Sequence, residues 1–597
     1  MSSHYKSNVR DMEFVLFELL NSAERYGRPP FGELDADAAR SILAEAARYA
    51  TTKLAPTFSD VDREPPSFEP ATHSVRLPKA LRETVSEYLE SGWLDLEFPS
   101  QSPDEAVPYS LRWCVTELMF GANPTVLMGA NVVPPVVRLL ESEGTDAQKR
   151  LAQLIRDKRW LATMVLTEPD AGSDVGAART RAYPQPDGSW HLEGVKRFIT
   201  NGDHDVSENI IHMVLARPVG VEGAGGSGTR GLSLFVVPKF HVDLDTGRCG
   251  DRNGVYVTGV ENKLGLTASP TCELAFGVDT PAVGWLLGDR HAGISQMFEI
   301  IKHVRMVVGV KAMATLSSGY LNALDYAKTR VQGDTIVDHP DVRRSLLTQK
   351  AHAEGMRALI LYAATQQDRV QESQYTGAID TVADARHQLL LPVIKGYCSE
   401  VAWRLLGQES LQVFGGSGYL KDYPIEQYVR DTKVDALYEG TTAIQGLDLV
   451  GRKIVRDERA ALDGLLTEIS ETITSVTTDD FAIEREMLRT ALRDFDELAT
   501  IVVDRWTSED ERAVAKQDCT RLLLCLGELV IGWLALRSCV TAREKLTAAT
   551  GRERDFYLGK IASGQWFLRN VLPRITAALV SVRNTTASFL ELPVSAL

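Results

Sequence analysis

Met164-Val165-Leu166-Thr167-Glu168-Pro169-Asp170-Ala171-Gly172-Ser173-Asp174 begins a change of texture in this chain. From about Trp160 to residue 285, β-branched and aromatic residues alternate with turn signals, the pattern of short strands. Asp187-Gly188 ahead of Ser189 to Val195 is a hairpin cue. Gly231 to Val237 is a strand candidate that ends at Pro238. The Gly-rich run between Gly220 and Gly231 lacks the Lys-Ser/Thr ending and the helix of a phosphate loop, so a flexible hairpin tip is expected there.

Outward from this segment the chain reads as helix on both sides. Upstream, Ala36 to Ala50, Leu81 to Leu89 and Leu111 to Phe120 carry apolar residues at helical spacing, and Thr145 after Gly144 looks like a helix start. Breaks fall at Pro65-Pro66 and from Ser100 to Pro108. Downstream, long helical segments run from Ser295 to Ala327, Val342 to Gln366 and Ile379 to Leu406, joined by short connections, as in a helical bundle. After Val455 come a helix bearing Phe481, Leu488, Leu492, Phe495 and Leu498, then segments at about 510–545 and 553–583. The expected fold is therefore α+β and multidomain. It has an N-terminal helical domain (1–160), a middle antiparallel β-domain (161–288), a C-terminal four-helix bundle (289–455) and an additional helical domain (456–597).

At 597 residues the chain is long enough for several cores. Its net charge of −15 argues against nucleic acid or an anionic membrane surface as the main partner. The seven cysteines are scattered without a Cys-x-x-Cys pair, which points to reduced thiols and a cytoplasmic protein. No His spacing suggests a metal site. Met1 to Lys6 opens into mixed charge rather than a signal-peptide core. The apolar run Leu522 to Leu536 is too short to span a bilayer and contains Glu528, so a buried helix is expected.

A second stretch carries chemistry: Leu437-Tyr438-Glu439-Gly440-Thr441-Thr442-Ala443-Ile444-Gln445. A carboxylate stands beside a glycine, which lets backbone approach a ligand closely. In a dry pocket its pKa would rise toward that of a working base. Alone, such a Glu is equally a charge complementing a helix dipole.

The company of these residues resolves the matter. Met164 to Asp174 resembles the signature of the acyl-CoA dehydrogenase family. Lys196-Arg197-Phe198-Ile199-Thr200-Asn201-Gly202 is similar to that family's second flavin segment, and Gln412 to Tyr419 to its adenine-side loop. Lys263 to Leu266 with Thr271 to Leu274 resembles its closing β-strand, and Leu437 to Gln445 its catalytic Glu segment. The resemblance spans roughly residues 35 to 455. The extra C-terminal domain and the opening His4 to Asp11 look like the long, actinobacterial FadE-type broad-specificity members.

The resemblance implies an enzyme that removes the α-proton of an acyl thioester and passes the β-hydrogen to FAD, giving a trans-2-enoyl product. Glu439 matches the base, and Gly440 lets its backbone N–H come close to the developing enolate. Met164, Leu166, Thr167, Phe198 and Thr200 match flavin contacts, with Phe198 in place of the Trp common in shorter relatives. Ser173 matches a residue between flavin and thioester. Arg330, Gln412, Gly416 and Thr441 match contacts to the pyrophosphate and adenine side, although the Phe of the usual Arg-x-x-Phe-Gly run is absent from Arg330-Val331-Gln332-Gly333. Arg305 matches an Arg near the CoA nucleotide, while Lys302 and Val304 replace an acidic and a hydroxyl residue. The implied partners are acyl-CoA, an electron-transferring flavoprotein and a second copy in a homodimer. Alternatives are an acyl-carrier-protein dehydrogenase or oxidase of lipopeptide-type metabolism, and a DNA-binding flavoprotein. The latter requires a basic stripe that Ile483-Glu484-Arg485-Glu486 does not display.

Overall fold

The computed structural model describes residues 4–100, 102 and 104–597. The opening Met1 to Ser3, and Gln101 and Pro103 of the break before Pro108, lie outside these. The α+β architecture expected from the sequence is present, packed as two compact bodies that are not simple segments of sequence. One takes the described residues within Tyr49–Gln101 and Ala122–Val307 and holds the main sheet. The other takes those within Met1–Arg48, Ser102–Gly121 and Val308–Leu597 and is almost wholly helical.

The main sheet is built from β1 (Leu161–Val165), β2 (Arg181–Pro184), β3 (Trp190–Thr200), β4 (Ile210–Pro218), β5 (Ser233–Pro238), β6 (Val255–Val260), β7 (Thr271–Phe276) and β8 (Ala282–Leu286). Its order is β6-β7-β3-β8-β5-β4-β1, with β2 pairing both β3 and β4. The hairpin-connected strands are antiparallel, as expected, whereas β1 and β2 each run parallel to β4. The Asp187-Gly188 cue does turn β2 into β3, Gly188 taking a φ of +85°. Inward residues of successive strands, among them Val165, Leu192, Val214, Phe235, Val257 and Leu274, form the core. Upstream, Thr145 and Gln148 cap the helix Asp146–Asp157 reciprocally, as its sequence suggests.

The helical body contains most of α1 (Gly293–Thr329), which leaves the sheet-bearing body at Val307, then α2 (Pro340–Tyr375), α3 (Thr381–Leu405), α4 (Ile425–Lys433), α5 (Thr442–Asp448), α6 (Ala460–Ser475), α7 (Ala482–Thr507), α8 (Arg512–Leu546), α9 (Gly551–Asn570) and α10 (Pro573–Asn584). The expected single segment 553–583 is in fact two helices. Pro573 has no N–H to continue the ladder, so the chain breaks at Val571-Leu572 and restarts with Pro at its first turn. Helix α8 is long and apolar enough to cross a membrane by length and composition, but 83% of its most apolar window is buried inside the protein.

Glycines let α8 approach its neighbours closely. A Cβ on Gly446 of α5 would lie 2.8 Å from the Cys519 carbonyl carbon of α8, and one on Gly396 of α3 would lie 2.9 Å from Leu523. Gly355 of α2 meets Ile531, and Gly527 of α8 meets the Tyr397 ring, at still shorter range. Elsewhere the body is tied by buried charge. Arg357 of α2 donates to Glu117 at 2.9 Å and to Asp11 near the N-terminus. Lys560 of α9 reaches Asp11 at 2.7 Å and Glu354 at 3.2 Å. Burial alone would push the Asp11 carboxyl up, but Lys560 and Arg357 hold it at about 2.

Asp368 of α2 shows the opposite balance. It is fully buried and accepts from the Ser110 N–H at 3.1 Å and hydroxyl at 2.5 Å. Burial outweighs these bonds and raises its pKa from 3.8 to about 6. A carboxyl raised on folding withdraws stability as pH rises from its unfolded value through its folded one. The effect here is on the order of 3 kcal/mol, gained fully below pH 4 and lost by about pH 6. Asp368→Asn should therefore melt above the parent at pH 7.5, with the gap closing as pH falls toward 4.5; parallel melting curves across that range check it.

Candidate functional site

The sheet-bearing body contributes one group of residues. Met164 lies near the end of β1, half-buried, and the chain leaves the strand through Leu166 and Thr167, also half-buried. Both of their carbonyls are tied to β3. Lys196 Nζ donates to the Leu166 carbonyl at 2.9 Å, and the Arg197 N–H donates to the Thr167 carbonyl at 2.9 Å. Because the peptide is trans and planar, the Thr167 N–H points away from the Lys196 ammonium.

Glu168 closes the arrangement from below. Its carboxylate accepts from Lys196 Nζ (2.9 Å), the Arg179 and Thr180 N–H groups (2.6 and 3.0 Å) and the Thr180 hydroxyl (2.6 Å). Lys196 is wholly buried, and desolvation, only partly offset by Glu168, lowers its pKa to about 8. Burial would raise the Glu168 carboxyl, but Lys196 and the N–H donors hold it below its ordinary value.

Phe198 owes its position to a β-bulge. Cys272 pairs with Ile199 but Leu274 pairs with Lys196, so Arg197 and Phe198 together oppose Glu273. Phe198 takes a φ of +60°, uncommon for a bulky side chain, and remains 55% exposed. The opposite neighbour, β6, is irregular at the same level, with Thr258 inserted between Val257 and Gly259. Arg197 lies over the Phe198 ring at 4.9 Å and pairs with Glu261 at 2.8 Å. Thr200 follows, half-buried and opposite Thr271.

Ser173 is exposed in the turn before the short helical segment Val175–Ala177. The Gly-rich run joins β4 to β5, as a hairpin tip should. It is pinned to this turn by Arg217, which donates to the Ala178, Gly226 and Gly228 carbonyls at 2.8, 2.6 and 3.1 Å, and to Gly176. Arg305 is buried, its guanidinium 5.6 Å from the Phe298 ring centroid. Lys302 pairs with Glu299 at 2.6 Å, and Val304 is buried.

The helical body contributes the other group. Glu439 and Gly440 are consecutive left-handed residues, with φ of +58° and +87°. Such backbone is strained for a Glu and persists only where its surroundings hold it. Gln445 Nε2 donates to the Glu439 carbonyl at 3.1 Å and the Gly440 carbonyl at 3.0 Å, while Lys395 Nζ donates to the Gly440 carbonyl at 2.6 Å. Thr441 caps α5, accepting from the Ile444 N–H. Beneath, the buried Lys311–Asp435 pair (2.7 Å) receives the Tyr438 hydroxyl at 2.7 Å. Burial raises the Asp435 carboxyl, and burial with Asp435 and Glu439 nearby pushes the Tyr438 phenol far up.

Arg330 is exposed just past the end of α1, beside the ribbon Val331–Gln332 and Asp334–Thr335. Gln412 and Gly416 are exposed around the turn Gly415–Tyr419. An aromatic cluster packs this turn against the end of α1. Tyr326 stacks on Phe414 at 4.4 Å, Tyr423 meets both rings edge-on, and the Tyr326 hydroxyl lies 3.3 Å from that of Ser417.

Sequence reasoning missed Lys196, Lys395, Gln445 and the Lys311–Asp435 pair. A signal existed for Lys395: it is the one charged residue in the apolar run Leu389 to Tyr397. Among the described residues, no three His, Cys, Asp or Glu side chains are grouped to hold a metal ion.

Comparison with known proteins gives three family matches: "Acyl-CoA dehydrogenase, middle domain" at residues 163–277, "Acyl-CoA dehydrogenase, C-terminal domain" at 291–454 and "Acetyl-CoA dehydrogenase C-terminal like" at 465–593. The chain is 48% identical to the broad-specificity linear acyl-CoA dehydrogenase FadE5 of Mycobacterium tuberculosis, over 99% of each protein. In fold it resembles Caenorhabditis elegans ACDH-11 in complex with C11-CoA, with a TM-score of 0.75, 18% identity, and 99% of this chain and 97% of that one covered. It also resembles an acyl-CoA dehydrogenase complexed with FAD from Bacillus anthracis, with a TM-score of 0.72, 19% identity, and 92% and 88% covered.

Lys196→Met should leave Glu168 buried with its cationic partner gone, a change that typically costs about 3–5 kcal/mol. Phe198→Ala, at an exposed site with the same backbone, should cost less than about 1 kcal/mol. Melting curves for both variants distinguish a Lys196 on which the fold depends from an exposed Phe198 on which it does not.

Proposed function

Since the chain belongs to the acyl-CoA dehydrogenase family, we propose that it carries out the FAD-dependent α,β-dehydrogenation of linear acyl-CoA thioesters to trans-2-enoyl-CoA. The observation that carries this is Glu439: a carboxylate on a strained, left-handed turn whose carbonyls are anchored by Lys395 and Gln445. Strain of this kind collects at functional sites.

A planar, hydrogen-bonding ring fits the residues Thr167, Phe198 and Thr200: Phe198 is 55% exposed, Thr200 follows it on the same strand, and the Thr167 carbonyl is held by the N–H of Arg197 beside it. Met164, Leu166, Thr167, Phe198, Thr200 and Ser173 would hold the flavin on that side; Arg330, Gln412, Gly416 and Thr441 would hold its pyrophosphate and adenine. When bound, the flavin supplies the hydride acceptor.

Glu439 takes the α-proton onto its carboxylate. Gly440 lets the backbone close on the thioester oxygen, where N–H donors stabilise developing charge. Ser173 and Arg305 serve the ligand, Ser173 near the thioester and Arg305 toward the nucleotide. Exposed apolar side chains next to Gly416, Tyr419 (83% exposed) and Leu420, support a second copy covering the adenine-side loop, in a cytoplasmic homodimer that passes electrons to an electron-transferring flavoprotein.

Lys302 and Val304, which depart from the family pattern near the CoA handle, favour one second possibility, a thioester on acyl-carrier protein. A DNA-binding role lacks support, since several C-terminal arginines are paired with acids, among them Arg569 with Glu484, Arg493 with Asp494, Arg543 with Asp480 and Arg583 with Glu497.

Anaerobic mixing with straight-chain acyl-CoAs from short to long should bleach the flavin absorbance. Glu439→Gln should slow this by about 10²–10⁴-fold, the usual worth of a general base. Bleaching by acyl-carrier protein alone would move the substrate to the carrier; bleaching by neither would overturn the assignment.

A further inference from the structure

Lys395 is a wholly buried ammonium within the apolar run Leu389 to Tyr397 of α3. Burying a cation is expensive unless it is used, and this one reaches the Gly440 carbonyl at 2.6 Å. The same carbonyl and that of Glu439 are also drawn to Gln445 Nε2, whose side chain is likewise fully buried. Two successive carbonyls are thus held on one side. In trans peptides the N–H groups of Gly440 and Thr441 then face the other way. Without those anchors, a Glu in the left-handed region would relax to ordinary backbone.

We propose that Lys395 is a positioning residue for the base: its ammonium, with Gln445, locks the Glu439–Gly440 turn in its left-handed form and thereby aims the Glu439 carboxylate. This rests on Glu439 being the base of the reaction proposed above. A bond made to the carbonyl behind the base, rather than to the ligand, acts on kcat and leaves KM nearly unchanged.

The test uses holoenzyme carrying Lys395→Met, which keeps the side-chain length and removes the donor, and Gln445→Met in parallel. Steady-state rates are measured on whichever acyl thioester bleaches the wild type. Deuterium uptake is followed in the peptide spanning Leu437 to Gln445. In Lys395→Met, kcat should fall about 100-fold, the scale of a misplaced reacting group, with KM within about threefold. Uptake in that peptide should rise about tenfold while the rest of α3 is unchanged. Gln445→Met should give the same pattern, and the double variant should lose less than the two effects multiplied together, because both hold one turn.

Unchanged uptake in the peptide, unchanged kcat, or loosening spread evenly through α2 and α3 would each overturn the proposal. A wild-type protein that reacts with no acyl thioester would instead sink the assignment of Glu439 itself, and the proposal with it. That outcome differs visibly from a reactive wild type whose Lys395→Met variant behaves like it.

Discussion

The helical body is organised around one buried guanidinium. Arg357 lies deep in α2 with almost no exposure, and its partners come from parts of the chain far apart in sequence: Asp11 near the N-terminus, Glu117 and, through Asp11, Lys560 of α9. Such a cluster adds little net stability, since desolvation offsets its Coulomb attraction. Removing any one member leaves its partners charged and buried, which is why it acts as a constraint. The N-terminal segment, the 109–122 helix, α2 and α9 must all be in place together. The bundle that carries Glu439 is assembled against that requirement.

Much of this architecture is legible in the sequence because it rests on periodicity and local turn chemistry. The strands between Trp160 and residue 285, the Asp187-Gly188 hairpin, the Thr145 cap and the long helices all follow from patterns a few residues wide. What is not legible depends on register or on distant partners. The bulge that turns Phe198 outward appears only once β3 is paired with β7. The stack of Tyr326 on Phe414 requires knowing that α1 passes the Phe414 turn. The split between α9 and α10 was there to be read at Pro573, but continuous helical periodicity on either side conceals it.

The same division holds for the candidate site. Glu439, Thr167 and Phe198 stand out because their neighbours form motifs. Lys395 does not, and Lys196 opens one of those motifs without its role being visible there, yet each holds a backbone carbonyl next to those residues: Leu166 in one body, Gly440 in the other. In both cases a buried ammonium serves a peptide group rather than a ligand. Local sequence marks the groups proposed to meet flavin and substrate; two of the ammonium groups that hold their backbone come from elements 30 and 45 residues away.

The contacts of α8 bear on how this lineage could change. At Gly446, Gly396 and Gly355 the fit to α8 depends on the absence of a side chain. Gain of even a methyl group at Gly446 would press on the Cys519 backbone behind the helix that starts at Thr442. The boundary between bundle and C-terminal helices is therefore recorded in missing atoms as well as in paired side chains such as Tyr362 on Trp533. A variant that lost its last 140 or so residues would bare these glycines. It would inherit three notched helices, and would have to refill them before the turn at Glu439 had firm backing again.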